Sequence, residues 1–185
     1  MKSVLVVYGT TEGQTRKIAA FIADALKARG VEVELVDSAA ETAALVQPVH
    51  AAAIVCGSLH QHAYQASLLH FVKNNKAWLS AMPAAFVAVS LTAALKDHQS
   101  RDELAEIAEA FYRETGWTPG ITRHVAGALR YSQYDYFKRL IMKLIAKQQG
   151  GDTDTSHDHE YTDWQDLTRF VEEFLAAISL ERSGH

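Results

Sequence analysis

The chain has 185 residues, 48% of them hydrophobic, a formal net charge of -4 and a single cysteine, Cys56. That length supports one domain, residues 1–185, with a sizeable core, and leaves too little for two. The charge gives no reason to expect nucleic acid as a partner, and one cysteine excludes an intramolecular disulfide or a cysteine-based metal cluster.

Residues 4–8 (VLVVY) form a continuous apolar run rich in β-branched side chains, which reads as a strand buried on both faces of a parallel sheet. Helical periodicity follows at once through Ile18, Phe21, Ile22 and Leu26. Between them lie Gly9, Thr10, Thr11, Glu12, Gly13, Gln14 and Thr15, where the strand meets the N-terminus of the helix. Free first-turn amides and the positive end of the helix dipole suit a phosphate there, Gly13 permits close backbone approach, and the threonines add hydroxyl donors. The loop lacks both the Gly-Lys-Ser/Thr of a triphosphate-binding loop and the glycines of a dinucleotide turn. A lone terminal phosphate fits it, with simple helix capping by Thr10 or Thr11 as the alternative.

Further along, residues 31–37 alternate apolar and acidic side chains, as an edge strand does, and residues 41–46 are weakly helical. Residues 51–56 (AAAIVC) are a buried strand, and a helix starts near Ala66 with Leu68, Leu69, Phe71 and Val72 inward. Residues 84–90 (AAFVAVS) form a fourth strand. Ser100 and Glu103 have capping-box spacing for the helix that follows, which Gly116 ends. Residues 121–129 (ITRHVAGAL) read as one fifth strand, and a last helix runs from about Thr162 through Ile178. Alternating strands and helices with right-handed crossovers predict an α/β, doubly wound, five-stranded parallel sheet of order 2-1-3-4-5.

Residues 130–160 exceed the short connection such a domain needs. Within them, residues 134–147 predict a basic amphipathic helix with Phe137, Leu140, Ile141, Leu144 and Ile145 as its apolar stripe, Lys138 and Lys147 beside it, and Arg139 and Lys143 behind. Such a helix docks on its own domain, on a partner or second subunit, or on an anionic membrane surface. The first strand opens at residue 2 and no apolar run approaches the ~20 residues of a spanning helix, so a cytoplasmic protein is expected. No metal is assigned: the pair His60 and His62 lacks a third ligand nearby, and residues 157–159 (HDH) read as a solvated loop.

The pattern T-T-E-G-Q-T resembles the phosphate loop of flavodoxins, which bind flavin mononucleotide (FMN), and the predicted strand order is flavodoxin-like. The resemblance sharpens over the whole chain. Gly13-Gln14-Thr15, Met82-Pro83-Ala84-Ala85-Phe86, Ala126-Gly127-Ala128-Leu129-Arg130-Tyr131, Ile141-Met142-Lys143-Leu144-Ile145, Gly150-Gly151-Asp152-Thr153-Asp154-Thr155 and Tyr161-Thr162-Asp163-Trp164 together look like the bacterial quinone-dependent protoporphyrinogen oxidase family. One departure is His60-Gln61-His62, where that family has an Arg-Tyr-Gly run.

The resemblance implies an FMN-dependent oxidoreductase of heme biosynthesis, peripheral at the cytoplasmic face of the inner membrane, passing electrons from a porphyrinogen-type substrate to a respiratory quinone. It implies FMN phosphate binding by Thr10, Thr11, Glu12, Gly13, Gln14 and Thr15. Ring positioning falls to Ser58, Leu59, His60, Gln61, His62 and Tyr64 on one loop and to Ser90, Leu91, Thr92, Ala93 and Ala94 on another. Substrate or membrane contacts fall to Arg130, Tyr131, Phe137, Lys138, Ile141 and Leu144, with Arg130 and Lys138 attracting propionates. The pattern names no catalytic acid or base and leaves a homo-oligomer open. The alternative is a flavodoxin-type electron carrier with another donor. A phosphoacceptor receiver domain is excluded, because Tyr8-Gly9 and Cys56-Gly57 stand where it needs acidic residues.

Overall fold

A computed structural model describes residues 3–130, 134–147 and 158–183. Strands β1 (Val4–Gly9), β2 (Val33–Asp37), β3 (Ala52–Ser58), β4 (Ala84–Ser90) and β5 (Ile121–Ala126) form one parallel sheet in the order β2-β1-β3-β4-β5. The helices are α1 (Gln14–Lys27), α2 (Ala66–Leu79), α3 (His98–Thr115), α4 (Tyr134–Lys147) and α5 (Trp164–Ser183). The predicted fold class and strand order are therefore the observed ones.

Alternation along β1 sends Val4, Val6 and Tyr8 to one face and Leu5 and Val7 to the other. On the first face they meet Ile18 and Ile22 of α1 and Leu167, Phe170 and Phe174 of α5. On the second they meet Leu68 and Phe71 of α2 and Phe111 of α3, with Phe86 and Trp117 filling the centre. A sheet covered on both faces explains why its central strands are uninterrupted apolar runs.

Three sequence expectations are corrected. The fifth strand is not continuous over residues 121–129: it ends at Ala126, and after Gly127 the chain turns into β6 (Ala128–Leu129), which pairs antiparallel with β7 (His159–Glu160). Gly127 lies so close to β4 that a Cβ there would stand 3.2 Å from Val89. Helix α3 is capped by Asp97, whose carboxylate accepts the Ser100 N–H at 2.8 Å, so Ser100 is a buried third residue of the helix rather than its cap. At the start of α5 the Asp163 carboxylate accepts the Asp166 N–H, which holds Asp163 below the usual carboxylate range. Thr162 precedes that helix and instead donates to the Ala126 carbonyl at 2.8 Å.

The excursion over residues 130–160 thus leaves and returns through one small β-ribbon. Its helix α4 spans the predicted residues and packs Ile141 and Leu144 against Leu91, Leu95 and Leu129. Ile141 and Leu144 are 2% and 4% exposed, so their expected contact with substrate or membrane is corrected: both are spent on the protein's own domain. Among the described residues, no helix is long and apolar enough to cross a membrane. Tyr131, His157 and the stretch Gly150-Gly151-Asp152-Thr153-Asp154-Thr155 lie outside the described residues.

Candidate functional site

The C-terminal ends of β1, β3 and β4 open toward one edge, where the strand order reverses between β1 and β3. At β1 the chain passes through residues 10–13 into α1. Gly13 occupies the N-cap position with φ 91°, a backbone conformation open to glycine at no steric cost, and no side chain caps the helix. Thr10 Oγ1 accepts the Gly13 N–H at 2.9 Å, which folds the loop back on itself. The first-turn amides of α1 therefore lack intrahelical partners, as at any helix start.

Two buried polar atoms mark this loop. Thr15 Oγ1 and Glu12 Oε1 are shielded from solvent yet have no hydrogen-bond partner among the described residues. A buried hydroxyl left unpaired costs about 1–3 kcal/mol, so Thr15 is arranged for something that arrives. Arg130 adds a cation: its guanidinium stands 3.6 Å from where a Cβ of residue 13 would lie. Arg130, expected among the substrate contacts, thus stands beside the loop between β1 and α1. A neutral nest of amides, a free hydroxyl and an adjacent guanidinium fit a phosphate monoester.

The second loop follows β3. His60 and Ala63 exchange a pair of backbone hydrogen bonds at 2.9 and 3.0 Å, with Gln61 and His62 at φ 50° and 63° between them. Two positive φ values in succession make this a tight turn of the hairpin kind, held without glycine. Tyr64 does not face this loop's open side. Its ring lies edge-on to Phe86 and Phe111 at centroid distances of 5.0 and 5.1 Å, and burial pushes its hydroxyl far above the ordinary tyrosine range. The expectation that Tyr64 helps to position a planar ligand is corrected, since its half-buried ring packs against the core and borders neither the cleft nor the cavity described below. Gly57 makes the room: a Cβ there would stand 2.9 Å from the Tyr64 ring.

Gln65, which sequence reasoning passed over, joins the first two loops. Its Oε1 accepts the Ser58 N–H at 3.1 Å while its Nε2 donates to Thr11 Oγ1 at 2.9 Å. The insertion's return is tied to the same region, because Gln14 Nε2 donates to Thr162 Oγ1 at 2.9 Å and Lys17 pairs with Glu160. That lysine bond holds the Glu160 carboxyl below its ordinary range. The third loop, residues 91–97, continues from Ser90, whose Oγ accepts the Ala93 N–H at 3.2 Å.

Between these loops runs a narrow cleft of about 50 Å³, bordered by Thr10, Glu12, Ser58, His60, Leu91 and Phe137. It adjoins a cavity of about 490 Å³ under α4, and Leu59, Ser90, Leu91 and Phe137 line both. Phe137 stands edge-on to His60 at 6.2 Å. Thr92, Gln61 and His62 border the larger cavity, whereas Ala93 and Ala94 face a separate groove beside His124. Lys138 is exposed and borders neither space.

Residues 5–156 match the model of the flavodoxin domain family. Protoporphyrinogen IX dehydrogenase (quinone) of Escherichia coli strain K12 is 32% identical over 172 residues, covering 91% of this chain and 92% of the relative. The enzyme of the same name from Leishmania major is 33% identical over 176 residues, covering 93% of this chain and 74% of the relative. Among solved structures, a short-chain flavodoxin associated with a bacterial microcompartment matches with a TM-score of 0.55 at 16% identity, over 96% of this chain and 99% of that one. A Pseudomonas aeruginosa flavodoxin variant matches with the same TM-score at 14% identity, over 96% of this chain and 99% of that one. The structural matches establish the fold, and the sequence matches go further: the chain belongs to the flavodoxin-domain family of protoporphyrinogen IX dehydrogenases (quinone).

Proposed function

We propose that this protein is an FMN-dependent oxidoreductase that passes electrons from a porphyrinogen to a quinone. Family membership makes it a flavin oxidoreductase, and the donor and acceptor follow from the names of its relatives. The observation that carries FMN is the orphaned Thr15 hydroxyl beside Gly13 and Arg130, which suits a single terminal phosphate. The bound flavin supplies reversible two-electron chemistry.

The protein's own residues supply binding and orientation. Hydroxyls of Thr10, Thr11 and Thr15 and the first-turn amides of α1 hold the phosphate, and Arg130 neutralises it. Glu12 Oε1 is an acceptor in want of a donor and suits a hydroxyl of the ribityl chain. The ring falls to the space between the turn at residues 60–63 and the loop at residues 91–97, where the cleft and the adjoining cavity share Leu59, Ser90, Leu91 and Phe137. Phe137 lines both spaces and offers the ring an apolar neighbour. Electrons and protons leave the methylene-bridged macrocycle in pairs and appear on the quinone as hydroquinone. Peripheral contact with the membrane that dissolves the quinone falls to the outward side of α4, where Met142 is 56% exposed one turn from Lys138.

Anaerobic reduction tests this reading. Protein loaded with FMN should bleach on addition of protoporphyrinogen and recover its oxidised spectrum on addition of a menaquinone analogue. Bound FMN that ignores the porphyrinogen would leave a flavodoxin-type carrier with another donor.

A further inference from the structure

The sequence reading gave propionate binding to Arg130 and Lys138, and the structure uses neither for it. Arg130 lies against the loop at residues 10–13, and the exposed Lys138 borders neither space. Two other cations, Arg139 and Lys143, line the 490 Å³ cavity that shares Phe137, Leu91 and Ser90 with the cofactor cleft. Its volume falls within the range of about 300–1,000 Å³ typical of small-molecule sites.

Spacing brings the pair together. Residues four apart on a helix have Cβ atoms about 5–6 Å from one another, so Arg139 and Lys143 present their charges side by side along one wall. Neither has an ion-pair partner among the described residues, although a carboxylate is at hand: Glu103 borders the same cavity and lies 3.7 Å from His62. Leu140 lies between the two cations in sequence and, with Phe137, gives the wall an apolar strip. The wall therefore combines apolar side chains with two neighbouring cations that have no ion-pair partner among the described residues. That chemistry matches a large apolar ring carrying two carboxylates on adjacent flexible arms.

We propose that this cavity is the porphyrinogen site, with Arg139 and Lys143 receiving the two propionate carboxylates while Phe137 and Leu140 support the macrocycle. The proposal rests on the function proposed above and adds to it the residues that recognise the substrate. Guanidinium and ammonium groups form charge-assisted hydrogen bonds to carboxylate, and the apolar wall strengthens them by lowering the local dielectric. Recognition through carboxylates leaves the methylene bridges free to lie against the flavin side of the cavity. It also makes the dimethyl ester of the same macrocycle a poor ligand.

The test uses the flavin-loaded protein, the variant Arg139→Gln/Lys143→Gln and the charge-conserving Arg139→Lys/Lys143→Arg. Binding of protoporphyrin IX and of its dimethyl ester is followed by quenching of porphyrin fluorescence, and turnover is followed with the corresponding porphyrinogens. The neutral variant should lose about tenfold or more in affinity for the diacid and raise its KM as much, with flavin content and dimethyl ester binding unchanged. The charge-conserving variant should recover most of the loss. Equal diacid binding by wild type and neutral variant overturns the proposal even if the wild type oxidises protoporphyrinogen. An equal loss for diacid and ester also overturns it, because the two cations would then act through the flavin. Charge-dependent diacid binding without any turnover keeps the site and removes the proposed reaction.

Discussion

Gln65 Nε2 donates to Thr11 Oγ1 across 2.9 Å, so the residue just before α2 fixes the loop after β1. The same side chain accepts the Ser58 N–H, and Thr11 keeps its own hydroxyl proton free to donate elsewhere. Gln65→Leu removes both bonds while keeping most of the volume. Each neutral hydrogen bond is worth about 0.5–1.5 kcal/mol, so FMN affinity should fall about tenfold, with little change in the fold. Titration of the apoprotein by FMN fluorescence measures this. An unchanged Kd would mean that the two loops hold their positions without the bridge.

Thr15 allows a prediction of opposite signs in two states. Its hydroxyl is buried and has no hydrogen-bond partner among the described residues. Thr15→Val exchanges that hydroxyl for a methyl group of nearly the same shape, so the apoprotein should be as stable as wild type or gain up to about 1 kcal/mol. A hydrogen bond to a charged group is worth about 1.5–3 kcal/mol, so FMN affinity should drop roughly 10- to 100-fold. Urea unfolding of the apoprotein and flavin titration give the two numbers. Loss of apoprotein stability with retention of FMN would remove Thr15 from the phosphate site.

Thr15 and Gln65 stand on opposite sides of what was legible in the sequence. A strand, a short glycine-containing turn and an amphipathic helix are local patterns, so the elements on either side of the loop at residues 10–13 and the strand order could be read from periodicity, spacing and crossover handedness. Gln65, Arg130 and Tyr64 could not be assigned in that way. Each acts through a contact distant in the chain: Gln65 with Thr11, the Arg130 guanidinium with Gly13, and the Tyr64 ring with Phe86 and Phe111. The same limit explains why Arg139 and Lys143 read as the back of α4. The apolar stripe fixes which side packs inward, and only the loop at residues 91–97 determines which flank borders a cavity.

Leu144 tests how α4 is held. It is 4% exposed and packs with Ile141 against Leu91, Leu95 and Leu129, away from the two main cores. Leu144→Ala should cost about 2–5 kcal/mol at that satellite cluster. Because α4 is an excursion from the sheet, the loss should appear as local opening rather than global unfolding. Limited trypsin digestion at Lys138, Arg139 and Lys143 should accelerate about tenfold or more, while the urea midpoint of the sheet domain moves little. Equal cleavage rates in both proteins would mean that the helix is held by something other than this packing.

His124 sets a pH dependence on the opposite side of the third loop. It sits on β5, and its Nδ1 is buried without a partner among the described residues. Burial disfavours the charged ring and lowers its pKa from the usual value of about 6.5. The unfolded chain then binds the proton more readily than the folded one, so stability rises with pH across this window. The contribution is fully present above the unfolded pKa and is lost as pH falls toward and through the folded value. Urea midpoints should therefore decline below about pH 6.5, before the carboxylates titrate. His124→Gln, which has no titrating group, should flatten that decline while leaving the steeper loss at lower pH, where Glu160 and Asp163 gain protons. A variant with the wild-type slope between about pH 5 and 7 would assign the decline to another histidine.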